Sequence, residues 1–508
     1  MKQDHSILFD DKHIHWQDIV AIAKHNASLE LSDDRQKKLR NARNIVDKIV
    51  ESGDRAYGIS TGLGALCSVT ISREQQSTLS TRVLLSHACG VGESLGISQT
   101  RAIMACAIAN FSKGHSGISP SIVELLIHFL NNDITPDVPK QGSVGYLTHM
   151  AHIGICLIGI GEVIYKGERT TAKDAIAAAG LKPVTLGAKD GLSLVNGTPC
   201  MTGLACIAID DCQHLAQWAD LISAMSFEAL GGQISCMDDN VMQLKPYPGQ
   251  INVANNMRAF LNKSQVIENR QGIRTQDALS LRSIPQIHGA CRDQIEFASK
   301  QILIELNSAT DNPLVMGTPD DYQVISQANP HGEAISMACD QLAIAIHEFS
   351  SVAERRSDRL VNPLVSGLPA FLVADSGVNS GMMIAQYVSA SLVSENRRHA
   401  QPVSTDNFVT SALQEDHLSM GTSSALRLYD ALDNSFRVLA IEYLFAAQAF
   451  EFFKDESFGE GTSKAWSWLR QHIAPYHEDR WLSPEIERCH QLIRQHKVEQ
   501  VTKPCNLI

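Results

Sequence analysis

The strongest constraint on the fold is a segment that is apolar on almost every side of a helix. In GEAISMACDQLAIAIHEFSSVAERR, residues 332–356, the helical period is filled by Ile335, Ala338, Leu342, Ile346 and Phe349. Because a helix that is hydrophobic around its whole circumference must be surrounded by other elements, this segment predicts a buried helix inside a bundle.

Other segments follow the same rule. In DQIEFASKQILIEL the apolar residues Ile295, Ala298, Ile302 and Leu306 recur at helical spacing, and the run CIAIDDCQHLAQWADLISAMSFEAL, residues 206–230, is similar. Strand-like alternation is short and sparse, with EVIYKGERT, residues 162–170, the best candidate for a hairpin. The pattern predicts a mainly α fold with long, closely packed helices in its second half.

Domain boundaries are weakly marked, because the chain has no low-complexity linker and no evident repeat. We expect one integrated fold, with an N-terminal part over residues 1–205 and a helical bundle with a C-terminal helical part over residues 206–508.

The charge balance bears on the partners. A net charge of -12 lacks the basic excess that nucleic acids or anionic membranes require, so a small-molecule substrate is expected. The first residues have no signal-peptide pattern, and the apolar stretch 153–164 is interrupted by glycines and Glu162. We therefore expect a cytoplasmic protein with no nucleic-acid or membrane partner.

Metal and disulfide chemistry is not indicated by spacing. The 12 cysteines form no CxxC pair, and several lie among alanines, where a thiol behaves as a small hydrophobe. His149 and His152 are three residues apart without a carboxylate partner, so no metal site is predicted. The sequence also lacks the GxSxG motif of a hydrolase nucleophile.

Glycine, asparagine and titratable residues cluster in several stretches that do not read as core helices. They are YGISTGLGAL, LLSHACGVGES, LSLVNGTPC, TQDALSLRSIPQ, NSATDNPL and SALQEDHLSMGT. Functional residues are frequent in such loops, although each stretch is a weak signal alone.

Taken in order, these stretches resemble the histidine and phenylalanine ammonia-lyase family over almost the whole chain. The resemblance is most specific in NSATDNPL, ERRSDRLVNPLVSGLPAFL, NSGMMIAQYVSASLVSENRRHAQP and LQEDHLSMGT. It implies a histidine ammonia-lyase-like fold with a long central helical bundle and a small mixed N-terminal part. It also implies a homotetramer in which each active site is assembled from three subunits.

The resemblance implies a reaction as well, the elimination of ammonia from an aromatic L-amino acid to give the trans-unsaturated acid. Ammonia is a poor leaving group and the β-hydrogen is barely acidic, so an electrophile is needed in addition to a base. The family forms that electrophile, 4-methylideneimidazol-5-one (MIO), from its own Ala-Ser-Gly triad. We expect MIO here and no metal.

The family's triad would lie between Gly145 and Tyr146. The family pattern GSVG, Ala-Ser-Gly, then roughly DLAPLAHMA appears here as GSVG followed at once by YLTHMAHIGICLIGIGEV. Either the triad is deleted, or the mature chain carries the cyclised group and standard letters omit it. We favour the modified residue, because a deletion would have to remove those three residues and spare nearly every other site position.

The resemblance assigns roles residue by residue. Tyr57 corresponds to the general base, a role that needs a lowered pKa for a phenol. Arg282 corresponds to the arginine that binds the substrate carboxylate, with Asn312 as its companion. Asn196 corresponds to the asparagine beside the electrophile, and Gln276 to a further pocket residue.

The resemblance assigns recognition of the substrate ring to different residues. His87, next to Ser86, falls where histidine accompanies histidine or tyrosine substrates, and Glu415 matches the glutamate that histidine lyases place near the imidazole. These residues favour L-histidine, because polar sites discriminate against rings that lack the partner group.

Four positions depart from the family pattern. Leu279 replaces a second catalytic tyrosine, Pro330 a phenylalanine beside the electrophile, Leu413 an asparagine, and Tyr146 the aspartate after the triad. The departures surround the pocket, so they bear on substrate identity more than on reaction type, and they make L-tyrosine the second candidate substrate.

Two alternatives stay open beside a lyase of this kind. A 2,3-aminomutase uses the same electrophile and returns the ammonia to the β-carbon. A catalytically inactive relative follows if the triad is truly deleted, although the retained Tyr57, Asn196, Arg282, Asn312 and Glu415 argue against it.

Overall fold

The computed structural model describes residues 6–62, 64 and 68–502, and it is 60% helical. The helices are α1 (Trp16–Lys24), α2 (Asp33–Ser52), α3 (Arg73–His87), α4 (Ile97–Phe111), α5 (Pro120–Asn131), α6 (Thr148–Leu157), α7 (Ala172–Ala178), α8 (Asp190–Val195), α9 (Pro199–Ala229), α10 (Asp239–Gln243), α11 (Pro248–Phe260), α12 (Gln265–Arg270), α13 (Leu279–Arg282), α14 (Ile284–Leu306), α15 (Glu333–Val361), α16 (Pro363–Ser366), α17 (Met383–His399), α18 (Gly421–Phe450), α19 (Glu460–Arg470), α20 (Ser483–Gln495) and α21 (Val498–Thr502). The strands are β1 (Ser6–Phe9), β2 (Ser28–Leu31), β3 (Val91–Ser94), β4 (Ile134–Pro136), β5 (Pro139–Gln141), β6 (Glu162–Tyr165), β7 (Glu168–Thr171), β8 (Leu314–Thr318) and β9 (Asp321–Ile325).

The mainly α prediction is confirmed, and the long helices lie where the apolar period placed them. The predicted core positions of α14 and α15, from Ile295 to Phe349, are all buried. The predicted hairpin is also present, with β6 antiparallel to β7 from Glu162↔Thr171 to Tyr165↔Glu168.

Other strand pairs were missed by the sequence analysis. Strands β8 and β9 form a hairpin in which Val315 is the one fully buried apolar residue of β8. Strands β1 and β2 pair in parallel, with Ser6 opposite Ser28. These strands are four or five residues long, too short to show a distinct alternation.

Helix ends follow local chemistry. Ser32 caps α2 by accepting a hydrogen bond from the Arg35 N–H, and Gly53 ends the helix in the left-handed conformation at φ 75°. Pro199 opens α9, where its missing N–H removes no helical hydrogen bond.

The chain divides into two compact units, each made of three chain segments. The first unit contains the described residues up to Asp210 together with Ala298–Asp340 and Pro402–Leu426. It holds every strand named above, and one of its core clusters packs α2 residues Ile45, Val46 and Ile49 against Ile59 and Val315.

The second unit contains Asp211–Phe297, Gln341–Gln401 and the described residues from Arg427 onward. Its described elements are helical. In its interior Arg356 Nε lies 2.6 Å from Glu442 Oε1, and both side chains are fully buried. Ser226 also donates to Glu442 Oε1 at 2.7 Å, so the buried carboxylate is well satisfied.

One helical stretch, Asp190–Ala229, is long and apolar enough to cross a membrane by length and composition. Its apolar window is entirely buried inside the protein, as expected for a core helix.

Each cysteine that the structure describes is a free thiol. Most are buried, whereas Cys89 is exposed. Cys67 and Cys505 lie outside the described residues.

Glu228 in the second unit supplies a pH-dependent contribution to stability. Burial raises the pKa of Glu228 to about 7, although its carboxylate accepts hydrogen bonds from Ser264, Thr462 and the Gly459 N–H. Because the folded pKa exceeds the unfolded value of 4.5, this contribution is fully present below about pH 4.5 and is lost as pH rises through 7.

We expect the Glu228→Gln variant to lack this dependence. The difference in unfolding free energy between wild type and variant should fall by on the order of 2–3 kcal/mol between pH 4.5 and 7, measured by urea unfolding. Glu478→Gln, at an exposed position, is the matched control and should leave the pH profile unchanged. Parallel profiles for wild type and Glu228→Gln would contradict the assignment.

Candidate active site

The chain makes an unusually tight turn directly after Gly145 and Tyr146. Leu147 has φ 82° and ψ -68°, and the Thr148 N–H donates to the Tyr146 carbonyl at 3.3 Å. These angles define a classic γ-turn, which is rare and strained for a residue with a side chain. The backbone therefore reverses direction around a single residue, two positions after Gly145.

Gly145 is held from several sides. Its carbonyl accepts a hydrogen bond from the Thr422 hydroxyl at 2.9 Å, and the preceding carbonyl, of Val144, accepts from the Met420 N–H at 2.9 Å. A Cβ on Gly145 would lie 2.7 Å from Ser419 Oγ. Only glycine fits this close approach, which fixes the segment against the start of α18.

Tyr146 lies among the predicted catalytic and ring-reading residues. Burial raises its pKa to about 12, and the neighbouring Glu415 carboxylate and Tyr57 phenol act in the same direction. Both groups are thus within electrostatic range of the Tyr146 hydroxyl. The Tyr146 phenol therefore stays protonated at neutral pH.

Glu415 is positioned by a strained turn. Thr410 and Glu415 exchange backbone hydrogen bonds, and the Thr410 hydroxyl lies 3.2 Å from Glu415 Oε2. The intervening Ser411, Ala412 and Leu413 have φ of 50°, 51° and 72°. Leucine tolerates this conformation less well than the family's asparagine, so the departure at Leu413 costs backbone strain.

Tyr57 lies on a loop that touches the same turn. The Gly64 N–H donates to the Tyr57 hydroxyl at 3.1 Å, and a Cβ on Gly64 would lie 2.9 Å from Ser411 Oγ. Three residues of the predicted glycine-rich loop, Leu63, Ala65 and Leu66, lie outside the described residues.

Asn196 is fixed at the end of α8 by a buried network. Its amide nitrogen donates to Asp311 Oδ1 at 3.1 Å and to the Asn312 carbonyl at 2.8 Å. Both amide hydrogens are therefore engaged, and Asn196 presents its carbonyl rather than a donor to its surroundings. Gly197 follows at φ 94°, with Thr310 Oγ1 2.8 Å from where a Cβ would be.

Asp311 is the centre of that network, and the sequence analysis did not single it out. Lys189 Nζ lies 2.6 Å from Asp311 Oδ2, and the Ser193 hydroxyl donates to the same oxygen at 2.9 Å. The Asn312 N–H donates to Asp311 Oδ1 at 2.7 Å. Side-chain exposure is 0% for Lys189 and 1% for Asp311. The one available signal was the position of Asp311 inside the motif NSATDNPL.

Asn312 is held next to this pair. Its Oδ1 accepts a hydrogen bond from the Gln327 N–H at 2.9 Å, and Gln327 Nε2 donates to the Asp311 carbonyl at 2.7 Å. The same loop leads to the buried Pro330, three residues before α15 begins. The first unit therefore joins Asn196 and Asn312 in one network, and Pro330 lies further along the chain from Asn312.

Ser86 and His87 form the last turn of α3. The Ser86 hydroxyl lies 3.0 Å from His87 Nδ1, with Ser86 exposed and His87 partly buried. The loop that follows approaches the Gly145 segment, because a Cβ on Gly90 would lie 3.3 Å from Thr148 Cγ2.

Gln276, Leu279 and Arg282 belong to the second unit and are described there. Arg282 ends the short helix α13, its Nε is buried, and no described residue forms an ion pair with it. Gln276 is exposed, and the side chain of Leu279 is 64% exposed. An unpaired guanidinium beside exposed neighbours suits a carboxylate supplied by a ligand.

The chain's own residues in this structure do not accommodate the cyclised electrophile. The sequence contains no Ala-Ser-Gly after Gly145, and Tyr146 leads directly into the γ-turn at Leu147. The amide hydrogens of Asn196 are used by Asp311 and Asn312. No chemical step is therefore derived through that group.

Comparisons of the sequence with a family model and with known proteins point to the same family. Residues 14–471 match the family model for aromatic amino acid lyase. A histidine ammonia-lyase of Caldanaerobacter subterraneus subsp. tengcongensis is 41% identical over 500 residues, covering 98% of each chain.

Solved structures agree with this result. The crystal structure of histidine ammonia-lyase from Trypanosoma cruzi has a TM-score of 0.91 at 36% identity, covering 98% of this chain and 95% of that one. Tyrosine aminomutase from Streptomyces globisporus has a TM-score of 0.93 at 31% identity, covering 99% and 100%. The histidine ammonia-lyase-like fold is confirmed, and the chain belongs to the aromatic amino acid lyase family, whose ammonia-lyases are carbon–nitrogen lyases.

Proposed function

We propose that this protein is an aromatic L-amino acid ammonia-lyase that converts L-histidine to urocanate, with L-tyrosine to coumarate as the second candidate reaction. The observation that carries the proposal is the convergence of Tyr57, Tyr146 and Glu415 in one unit, where Leu147 also donates a backbone hydrogen bond to Val195. Val195 directly precedes Asn196. The similarity to histidine ammonia-lyases supports the choice of substrate.

Each residue has a task in this proposal. Arg282 binds the substrate carboxylate with its planar guanidinium, and Asn312 assists it. His87 and Glu415 contact the polar ring, with Ser86 hydrogen-bonded to His87. Tyr57 removes the β-hydrogen, while Gln276, Leu279 and Pro330 line the pocket.

The proposal includes MIO at the junction of Gly145 and Tyr146 in the mature protein. That group would supply an electrophile for the substrate amine. Its support is the retention of Tyr57, Asn196 and Arg282, which a protein without catalytic duty has no physical reason to keep together.

Two alternatives have specific support. The similarity to tyrosine aminomutase favours a 2,3-aminomutase, which would return ammonia to the β-carbon. The γ-turn at Leu147, which follows Gly145 and Tyr146 without additional residues, favours an inactive, ligand-binding relative that lacks the triad.

We also propose a cytoplasmic homotetramer with composite active sites, and a small molecule as its partner rather than nucleic acid or membrane. The negative net charge supports the choice of partner. On α17, Ile384, Tyr387 and Val388 are 58%, 58% and 41% exposed along one face, as expected for a helix covered by another subunit.

The decisive experiment combines intact mass, peptide sequencing across residues 141–146 and product analysis. A mass above that of the 508 residues by one alanine, one serine and one glycine, less two waters, is expected, with urocanate and ammonia as products from L-histidine. Coumarate from L-tyrosine alone would select the second substrate, and a β-amino acid would select the aminomutase. A mass equal to that of the written chain, without turnover, would exclude the lyase.

A further inference from the structure

Three metal-ligand side chains of the first unit converge at a place that the proposed reaction does not use. They are His331, Glu333 and His417, and one ligand atom from each lies within 4.8 Å of the other two. His331 Nε2 is 3.1 Å from His417 Nδ1. The spacing rules did not reveal this cluster, because His417 lies 86 residues beyond His331.

The backbone holds both sides of the cluster. Glu333 is the first residue of α15, and Gly332 before it packs so tightly that a Cβ would lie 2.0 Å from Met201 Sδ. On the other side, Asn407 accepts a hydrogen bond from the Leu418 N–H at 2.9 Å and donates to the Asp416 carbonyl at 3.2 Å. The residues on either side of His417 are therefore fixed.

The polar atoms of the cluster are incompletely satisfied. Glu333 Oε2 is buried, and no described group donates a hydrogen bond to it. The start of α15 gives a carboxylate some electrostatic stabilisation but no specific donor in this structure. One proton at most lies between the two imidazole nitrogens, so the cluster contains acceptors in excess of donors.

A divalent cation would satisfy all three groups. Ligand atoms about 2.0–2.1 Å from a tetrahedral zinc ion lie roughly 3.3 Å from one another, close to the spacing of the two nitrogens here. Two imidazoles and a carboxylate form a donor set that suits zinc and related transition metals, with the remaining position left to water.

We propose that His331, Glu333 and His417 form a binding site for one divalent transition-metal ion of the Zn²⁺ class. The site joins the segment that carries Pro330 to the segment that carries Glu415, so the bound ion cross-links two walls of the candidate pocket. This inference concerns a site distinct from the elimination chemistry and does not depend on the substrate.

The test is equilibrium dialysis of the full-length protein against Zn²⁺, with Co²⁺ as the spectroscopic probe. We expect one equivalent per chain, a visible absorption band of low-coordinate Co²⁺, and a rise in Tm with either ion. His417→Ala and Glu333→Gln should each weaken binding at least about tenfold and abolish the rise in Tm.

Two controls separate this site from adventitious binding. His13→Ala removes an exposed histidine elsewhere in the same unit, and Cys89→Ser removes the exposed thiol, so both should bind metal like the wild type. His417 is exposed, which makes its replacement compatible with folding. Equal binding by the wild type and both cluster variants, or no binding by the wild type, would overturn the proposal.

Discussion

Replacing Asp311 with asparagine is expected to lower the free energy of unfolding by about 3–5 kcal/mol and to reduce turnover in the protein that remains folded. The substitution leaves Lys189 buried without a counter-charge. Each carboxylate oxygen of Asp311 accepts two hydrogen bonds, Oδ2 from Lys189 and Ser193 and Oδ1 from Asn196 and Asn312. Asparagine has an amide nitrogen in place of one of these oxygens, so one pair of donors would face another donor. Urea unfolding and steady-state kinetics on the same preparation measure the two effects.

Glu442→Gln is the matched control for the stability effect. It breaks the Arg356–Glu442 pair, which is equally buried but lies among the helices of the second unit. We expect a similar loss of stability with unchanged kcat for the folded fraction. If Asp311→Asn lowers stability and leaves kcat intact, Asp311 supports the fold and does not position Asn196 or Asn312.

A double variant separates charge from geometry. Lys189→Met combined with Asp311→Asn removes both members of the ion pair, so much of the lost stability should return. Asn196 would still lack its carboxylate acceptor, and turnover should remain low.

Replacing Arg282 with alanine is expected to reduce kcat/KM by about 10²- to 10³-fold, because a charge-assisted contact with the substrate carboxylate is lost. Since no described residue pairs with Arg282, its removal should leave Tm almost unchanged. Arg282→Lys should recover part of the loss, as lysine keeps the charge without the planar bidentate geometry.

Arg40→Ala, at an exposed position on α2, is the control for a simple change in net charge and should retain wild-type kinetics. An Arg282→Ala variant with unchanged KM and kcat would remove the carboxylate contact from the proposal. A fall in Tm comparable to that of Asp311→Asn would instead point to a structural role.

Much of the fold was predictable because helix packing leaves a local signature. Ile335, Leu342 and Ile346 recur with the helical period of 3.6 residues, and this spacing predicts their burial. The short strands β1, β2, β8 and β9 left no such signature, because four or five residues with few buried positions carry little pattern. Their pairing depends on partners brought in by the rest of the fold.

The residues of the candidate site likewise differ in whether a local sequence pattern reveals them. Motif resemblance singled out Tyr57, Asn196 and Glu415, since these residues sit in distinctive stretches. Lys189 and Asp311 escaped attention because a buried ion pair between residues 122 positions apart has no local pattern.

The sequence by itself determined the helical class, the family and the direct succession of Gly145 and Tyr146, because each is written in consecutive residues. Only the tertiary structure decided three further features. Leu147 forms a γ-turn, the amide nitrogen of Asn196 donates to Asp311 and to the Asn312 carbonyl, and His331, Glu333 and His417 meet. The physical reason is that these features depend on distances between segments far apart in the chain, which are set by the packing of the whole core rather than by local preference.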